Sequence, residues 1–187
     1  MKNATLFAVV MAVVLALPAA AKELAGVQFP DTATVEGKAL KLNGVGLRKK
    51  VVFKVYAAAL YVENTSQSAQ QLIESEQVKR VRMSMLRDLD KKTITEAIVD
   101  GFKKNAGDKL PALQQRLDTF TAAIPDLKKG DELVLTYAPG KGTTIESKAG
   151  QKISVEGKDF SDALFSVWLG KSPVDESLKD GMLGKAE

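Results

Sequence analysis

Apolar and polar residues recur with two different periods along the chain, and the period predicts where strands and helices form. The longest apolar run spans residues 51–62, and its β-branched and aromatic content predicts a strand that is covered on both faces. Residues 79–87 alternate with period two, which places Val81, Met83 and Met85 on one face of a second strand. Shorter strands are predicted at residues 26–29, 32–35, 40–42, 133–137, 143–147 and 151–155.

Helical spacing appears in the middle and near the end of the chain. Ile94, Ile98 and Phe102 form one apolar stripe, and Thr93 with Glu96 has the spacing of a capping box. Further helices are predicted at about residues 66–74, 110–124, 159–170 and 175–183. Because strands precede and follow the helices without alternating with them, we expect an α+β fold with helices packed on a mostly antiparallel sheet.

The N-terminal segment has the pattern of a secretory signal. An apolar stretch at residues 4–17 follows a basic start and precedes an A-x-A pattern at residues 19–21. A membrane anchor is the alternative, but the stretch is shorter than the ~20 residues that a spanning helix needs. We therefore expect a signal peptide of residues 1–21, cleavage after Ala21, and a single periplasmic domain of residues 22–187 without a transmembrane segment.

Composition narrows the chemistry that this protein can perform. The 187 residues include no cysteine and no histidine, which excludes thiolate metal sites, cysteine nucleophiles and a histidine base. The acidic residues lack calcium-loop spacing, so we expect no metal and no cofactor. The formal net charge is only +4 and the basic residues are scattered, so we expect no nucleic-acid partner. The sequence does not identify a protein partner.

Gly44 and Gly46 precede the long apolar run and predict a bend, because glycine adopts positive φ without strain. Arg48 follows this bend, and a guanidinium keeps its charge and binds carboxylates through paired hydrogen bonds. Tyr56 lies inside the run and needs a partner for its hydroxyl if it is buried. The spacing alone favours a simpler interpretation, in which Arg48 is a surface charge and Tyr56 an ordinary core residue.

The position of the turn decides whether Arg48 and Tyr56 can act together. If the turn falls at residues 49–50, Tyr56 lies several residues along the partner strand. The two backbones would then be on the order of 10–16 Å apart, at ~3.3 Å per residue. An arginine side chain could bridge the shorter of these distances but not the longer one.

Segments along most of the chain resemble the chalcone isomerase-like family, in particular its exported bacterial branch. The matching segments are residues 43–48, 53–62, 124–131, 137–143, 160–170 and 183–184. Their order and spacing extend the resemblance over about residues 29–184. The resemblance implies an open-faced β-sandwich, in which a large antiparallel sheet is covered by a helical layer and a ligand cleft lies between them.

The resemblance also implies which residues would form a site. Plant members that cyclise chalcones use an arginine, a threonine, a tyrosine and an asparagine, and Arg48 matches the arginine. Tyr56 stands at the threonine position, Ile94 at the tyrosine position and Gly101 at the asparagine position. Ile94 and Gly101 have no side-chain donor for the charge that develops during cyclisation, so we expect no chalcone isomerase activity.

The family also contains non-catalytic fatty-acid-binding members, in which an arginine and a tyrosine at the positions of Arg48 and Tyr56 hold the carboxylate. The resemblance therefore implies a non-enzymatic protein that binds a small amphipathic carboxylate, such as a fatty acid, in an apolar cleft. The residues expected to line this cleft are Ala58, Leu60, Ile94, Ile98 and Phe102.

Two other functions stay open from the sequence. One is an isomerase or lyase acting on an unknown substrate, with Arg48 as electrophile and Tyr56 as acid. The other is a structural module of the cell envelope that binds no ligand.

Overall fold

The computed structural model describes residues 20–148 and 152–185, so most of the predicted signal peptide lies outside the described residues. The strands are β1 (Ala21–Leu24), β2 (Val27–Pro30), β3 (Thr32–Val35), β4 (Lys38–Lys50), β5 (Phe53–Val62), β6 (Lys79–Met85), β7 (Glu132–Ala138), β8 (Gly142–Ser147) and β9 (Ile153–Val155). The α-helices are α1 (Ala69–Glu74), α2 (Lys91–Ala106), α3 (Leu110–Ala122), α4 (Lys158–Leu169) and α5 (Glu176–Met182).

Seven strands form one antiparallel sheet in the order in which they occur in the chain, from β3 to β9. β1 and β2 form a separate antiparallel hairpin. The helices supply the other half of the main apolar core, so the predicted α+β fold with a large antiparallel sheet under helices is confirmed. Among the described helices, none is both long enough and apolar enough to cross a bilayer.

The sheet buries apolar residues on both of its faces. Ala58 and Leu60 belong to the core between the sheet and the helices. Ala59 and Tyr61 alternate with them and pack with Phe29 in a second core on the opposite face. All of these residues are buried, so the prediction of a strand covered on both faces is confirmed for residues 57–62. It is wrong for residues 51–54, which are exposed at the turn and at the start of β5.

The connection between β4 and β5 differs from the sequence prediction. The turn falls at Val51 and Val52, two residues later than expected, and β5 begins at Phe53. A bulge then shifts the register, so that Arg48 lies directly opposite Tyr56 in the ladder. The expected separation of 10–16 Å is therefore wrong, because residues opposite each other in an antiparallel pair have Cβ atoms only about 5 Å apart.

The glycine pair lies inside β4, beside a register shift between Leu42 and Gly44, and neither glycine has the positive φ on which the predicted bend relied. Both glycines instead allow the backbone of α5 to lie directly against the strand. A β-carbon on Gly44 would lie 2.2 Å from the carbonyl oxygen of Gly181, and one on Gly46 would lie 2.3 Å from that of Leu178. This close approach fixes the start of α5 beside the end of β4.

The first turn of α2 is capped differently from the sequence prediction. Asp90 is the N-cap residue, and its carboxylate accepts a hydrogen bond of 2.6 Å from the backbone N–H of Thr93. The backbone of Leu89 pairs with Leu127 immediately before this cap, so the chain leaves its extended conformation there. The helix therefore begins at Lys91, earlier than the capping-box spacing indicated.

Candidate functional site

A cavity of about 360 Å³ lies between the sheet and helices α2 and α4. Its apolar wall includes Met83, Met85, Leu133, Ile94, Ile98 and Val167. The charged residues along it are Arg48, Lys50, Lys104, Glu96 and Asp100, three cations against two anions. The cavity therefore combines an apolar interior with a small excess of positive charge.

Arg48 and Tyr56 both line this cavity and are cross-strand neighbours on β4 and β5. Direct opposition in the ladder brings a fixed positive charge and a phenol hydroxyl to one place on the sheet. The structure thus brings together the two residues that the resemblance implied as a ligand-binding pair. Their role in binding stays a prediction.

Arg48 is held in place by the N-terminal end of α5. Its Nη1 donates to Oδ2 of Asp175 at 3.2 Å and to the carbonyl oxygen of Lys49 at 3.0 Å. The other oxygen of Asp175 accepts from the backbone N–H of Leu178 and caps α5. The Nε and Nη2 groups of Arg48 have no protein acceptor among the described residues and are therefore free to bind an anion. The side chain is 24% exposed, so it is partly shielded from water.

Tyr56 is oriented by the indole of Trp168. The Nε1–H of Trp168 donates to the Tyr56 hydroxyl oxygen at 3.0 Å. Burial raises the pKa of Tyr56 to about 12, so the phenol keeps its proton at neutral pH. Because the oxygen accepts from Trp168, the hydroxyl proton remains available to donate to a ligand.

The predicted lining residues divide into two groups. Ile94 and Ile98 line the cavity from α2. Ala58, Leu60 and Phe102 are completely buried in the main core and are not among the residues that line the cavity. For Ala58 and Leu60 the reason is their position along β5. The cavity lies beside Tyr56, near the start of that strand, and Ala58 and Leu60 lie two and four residues farther along.

All four positions that correspond to the plant enzyme site face this one cavity, since Ile94 and Gly101 line it together with Arg48 and Tyr56. Gly101 permits close contact between α2 and α4. A β-carbon at this position would lie 2.7 Å from Cγ1 of Val167. An asparagine therefore does not fit at residue 101 unless α4 moves.

Sequence reasoning missed Trp168 and Asp175, which position the two polar groups of the site. Asp175 lies at the start of a predicted helix, so the sequence indicates its capping role. Its contact with Arg48, however, joins residues 127 positions apart in the chain, and the sequence does not indicate it. Trp168 stood in a predicted helix as an apolar residue. Its bond to Tyr56 spans 112 positions, and no local pattern indicates it.

Comparison with known proteins agrees with this architecture. A profile described as chalcone isomerase-like matches residues 21–184. Among solved structures, the chain is similar to a fatty-acid binding protein of Arabidopsis thaliana, with a TM-score of 0.66 and 19% sequence identity. The alignment covers 88% of this chain and 96% of the Arabidopsis chain, and at this identity the likeness concerns the fold.

A search of curated proteins found no match. The family profile nevertheless extends over nearly all of the residues that form the sheet and the helices. The chain therefore belongs to the chalcone isomerase-like family.

Proposed function

We propose that this protein is a non-enzymatic, periplasmic binding protein for a small amphipathic carboxylate such as a fatty acid. One observation carries the proposal: Arg48 and Tyr56 lie side by side on an apolar cavity, each with a hydrogen-bond donor that no described residue uses. A carboxylate can accept from both donors at once while its apolar chain occupies the cavity.

The chemistry of the cavity supports binding over catalysis. Ile94 and Gly101 offer no side-chain donor, so these two positions cannot stabilise a developing charge. The raised pKa of Tyr56, about 12, also makes this phenol a poor proton donor and acceptor near neutral pH. It remains a good hydrogen-bond donor to a carboxylate that is already charged.

The size of the cavity points to a ligand of moderate length. A volume of about 360 Å³ lies near the lower end of the usual range for ligand pockets, roughly 300–1,000 Å³. The similar Arabidopsis protein is a fatty-acid binding protein, which supports the same ligand class here. Periplasmic location is supported by the signal pattern of residues 1–21.

Isothermal titration calorimetry with saturated fatty acids, from octanoic to hexadecanoic acid, and with their methyl esters tests the proposal. We expect Arg48→Ala to weaken binding of the acids by about 10- to 100-fold, because a charge-assisted hydrogen bond is lost. Tyr56→Phe should weaken it by about 3- to 10-fold. Both variants should lose less affinity for the methyl esters than for the acids, because an ester carries no charge and its carbonyl oxygen accepts only ordinary hydrogen bonds.

Arg116→Ala is the matched control. Arg116 is also a partly exposed arginine paired with an aspartate, Asp159, but it does not line the cavity. Its removal should leave fatty-acid affinity unchanged. Equal affinity of Arg48→Ala and the unaltered protein for the acids would refute the proposed role of the guanidinium, and turnover of a bound acid would refute the non-enzymatic assignment.

A second function, a structural module without a ligand, draws on the ion pair between Arg48 and Asp175. In that case Arg48 serves to hold α5 on the sheet. Absence of binding across the whole fatty-acid series, together with a lowered unfolding temperature for Arg48→Ala, would favour this function.

A further inference from the structure

The turn between β4 and β5 carries three large apolar side chains in solvent. Val51 is 88% exposed, Val52 80% and Phe53 58%, and these three residues are called the hairpin tip below. Elsewhere in the described residues, no large hydrophobic side chain is exposed to this degree. Single exposed apolar residues are ordinary on protein surfaces, but three in succession at the end of a hairpin indicate a binding surface.

The backbone at the hairpin tip is also unusual. Val51 has a φ of +58°, in the left-handed region that β-branched residues rarely adopt. Tight hairpin turns normally place glycine or asparagine at such a position. Valine is therefore unfavourable for the turn itself, which indicates that its side chain serves a contact outside the fold.

Four cations surround this apolar tip. Lys49, Lys50 and Lys54 are exposed beside it, and the guanidinium of Arg87 lies 5.0 Å from the centre of the Phe53 ring. These residues are called the tip cations. None of them forms a salt bridge to a carboxylate within residues 20–148 and 152–185, so their charge is available to an anionic partner.

We propose that the hairpin tip docks on an anionic phospholipid bilayer, with its apolar side chains among the acyl chains and the tip cations at the phosphates. An apolar end inside a ring of positive charge matches the layered chemistry of such a surface. A protein partner fits less well, because a stable interface buries about 800 Å² on each side, far more than three side chains at a hairpin end provide.

The same hairpin forms part of the candidate site. Arg48, Lys50 and Val55 line the cavity, so a docked hairpin tip would hold the cavity next to the membrane. Exchange of a ligand between cavity and bilayer would rest on the proposed function. Docking does not, because Lys50 is the one residue of the hairpin tip and the tip cations that also lines the cavity.

A single label on the hairpin tip tests docking locally. The chain contains no cysteine, so Val52→Cys can carry one polarity-sensitive fluorophore, and Lys141→Cys can carry the same fluorophore at the opposite end of the sheet. With vesicles of equimolar phosphatidylglycerol and phosphatidylethanolamine, we expect a blue shift and increased emission at residue 52 and no change at residue 141. With vesicles of phosphatidylcholine alone, we expect no change at either site.

Vesicle sedimentation of charge variants tests the role of the tip cations. Lys49→Ala/Lys54→Ala should weaken binding to the anionic vesicles by about 20- to 30-fold, since each lysine near such a surface contributes about fivefold. Lys38→Ala/Lys141→Ala removes the same charge from the opposite end of the sheet and should have little effect. Val52→Ser/Phe53→Ser should weaken binding by at least about tenfold.

Several results would overturn the proposal. They are an unchanged signal at residue 52 with anionic vesicles, an equal signal with phosphatidylcholine, and equal losses in the two lysine pairs. A concentration-dependent signal at residue 52 without vesicles would instead identify the hairpin tip as a contact between proteins.

The docking proposal and the ligand-binding proposal can be tested independently of each other. Val52→Ser/Phe53→Ser should keep full affinity for fatty acids in calorimetry without vesicles, because neither residue lines the cavity. Arg48→Ala tests only the binding of the fatty acid, because Arg48 is not one of the tip cations. Loss of vesicle binding with intact ligand affinity would therefore support docking alone.

Discussion

At the scale of single residues, Lys79 shows how the core accommodates a charge. It is completely buried, and its ammonium group donates to the carbonyl oxygens of Leu72 and Ile73 at the end of α1. The rings of Tyr137 and Phe165 lie 5.1 and 5.2 Å from the nitrogen. The lysine therefore donates to two carbonyls at the helix end, which also accept from the Ser75 hydroxyl and from the Lys158 ammonium group.

This lysine predicts a particular dependence of stability on pH. Burial lowers the pKa of Lys79 from its ordinary 10.5 to about 8. Between these values the unfolded chain binds more protons than the folded chain, so the free energy of unfolding should rise with pH by on the order of 2 kcal/mol. Lys79→Met should remove most of this rise. Urea unfolding measured at intervals from about pH 7 to about pH 10 gives the comparison.

Tyr56 acts in the opposite direction at higher pH. Its pKa is raised to about 12 by burial, whereas tyrosines in the unfolded chain lose their protons near 10. The stability that these two groups contribute should therefore fall again above about pH 10 and be greatest just below it. A protein that is most stable near neutral pH and loses stability steadily from about pH 8 would contradict the assignment to Lys79.

At the scale of elements, the contact between α2 and α4 shapes the candidate site. Gly101 of α2 allows Val167 of α4 to approach so closely that no side chain fits between them. This contact excludes a polar side chain from one wall of the cavity. The geometry of the two helices thus explains why residue 101 contributes no polar group to the cavity, although Glu96, Asp100 and Lys104 of the same helix line it.

A double-mutant cycle measures this contact. Gly101→Ala would normally stabilise a helix by about 1 kcal/mol, but here the added methyl meets Val167, and we expect a loss of about 1–3 kcal/mol instead. In a Val167→Ala background the same change should cost little, which gives a coupling of about 1–3 kcal/mol in urea unfolding. Additive effects of the two substitutions would show that the helices separate freely.

Elements also determine where the charge of Arg48 is held. Gly44 and Gly46 allow α5 to pack directly on β4. The N-cap residue of α5, Asp175, then lies within reach of the Arg48 guanidinium. The spacing of glycines was visible in the sequence, but it indicated a bend. The pattern could not show the close approach, because the partner backbone lies more than 130 residues later in the chain.

At the scale of the whole molecule, the sheet separates two cores of different size. The helical side contains the cavity, and the hairpin of β1 and β2 covers the smaller core around Phe29 and Tyr61. The predicted cleavage site, after Ala21, falls directly after the first residue of this hairpin. Cleavage at the predicted site would therefore affect the edge of the smaller core and leave the cavity unaltered.

The mature chain should fold as well as a longer one. Cleavage after Ala21 removes one hydrogen bond, from the N–H of Asp31 to the carbonyl oxygen of Ala20, and one exposed residue that pairs with Pro30. We expect a protein beginning at Lys22 to have a free energy of unfolding within about 1 kcal/mol of one beginning at Ala20. Amino-terminal sequencing of periplasmic protein and urea unfolding of both chains provide the measurements.

A blocked variant serves as the control for processing. Ala19→Leu/Ala21→Leu removes the small residues that define the cleavage site and should leave the signal peptide attached. Recovery of the unaltered protein in the cytoplasm with its first residues intact would contradict the export prediction.

The sequence by itself determined the architecture of this protein, because periods of two and about 3.6 residues are local properties of strands and helices. These periods predicted the alternation at Met83 and Met85 and the stripe at Ile94 and Ile98, and the apolar run of residues 51–62 predicted a covered strand whose first four residues are in fact exposed. These patterns, together with the family resemblance, sufficed for the fold class and for selecting Arg48 as a candidate.

Only the tertiary structure decided which residues form the cavity and how its polar groups are held. The turn at Val51 and Val52 places Arg48 opposite Tyr56, and a displacement of one residue would have moved Tyr56 to the other face. Trp168 and Asp175 reach the site from distant parts of the chain. Register and contacts between distant segments depend on packing of the complete molecule, and a local pattern of residues contains no measure of that packing.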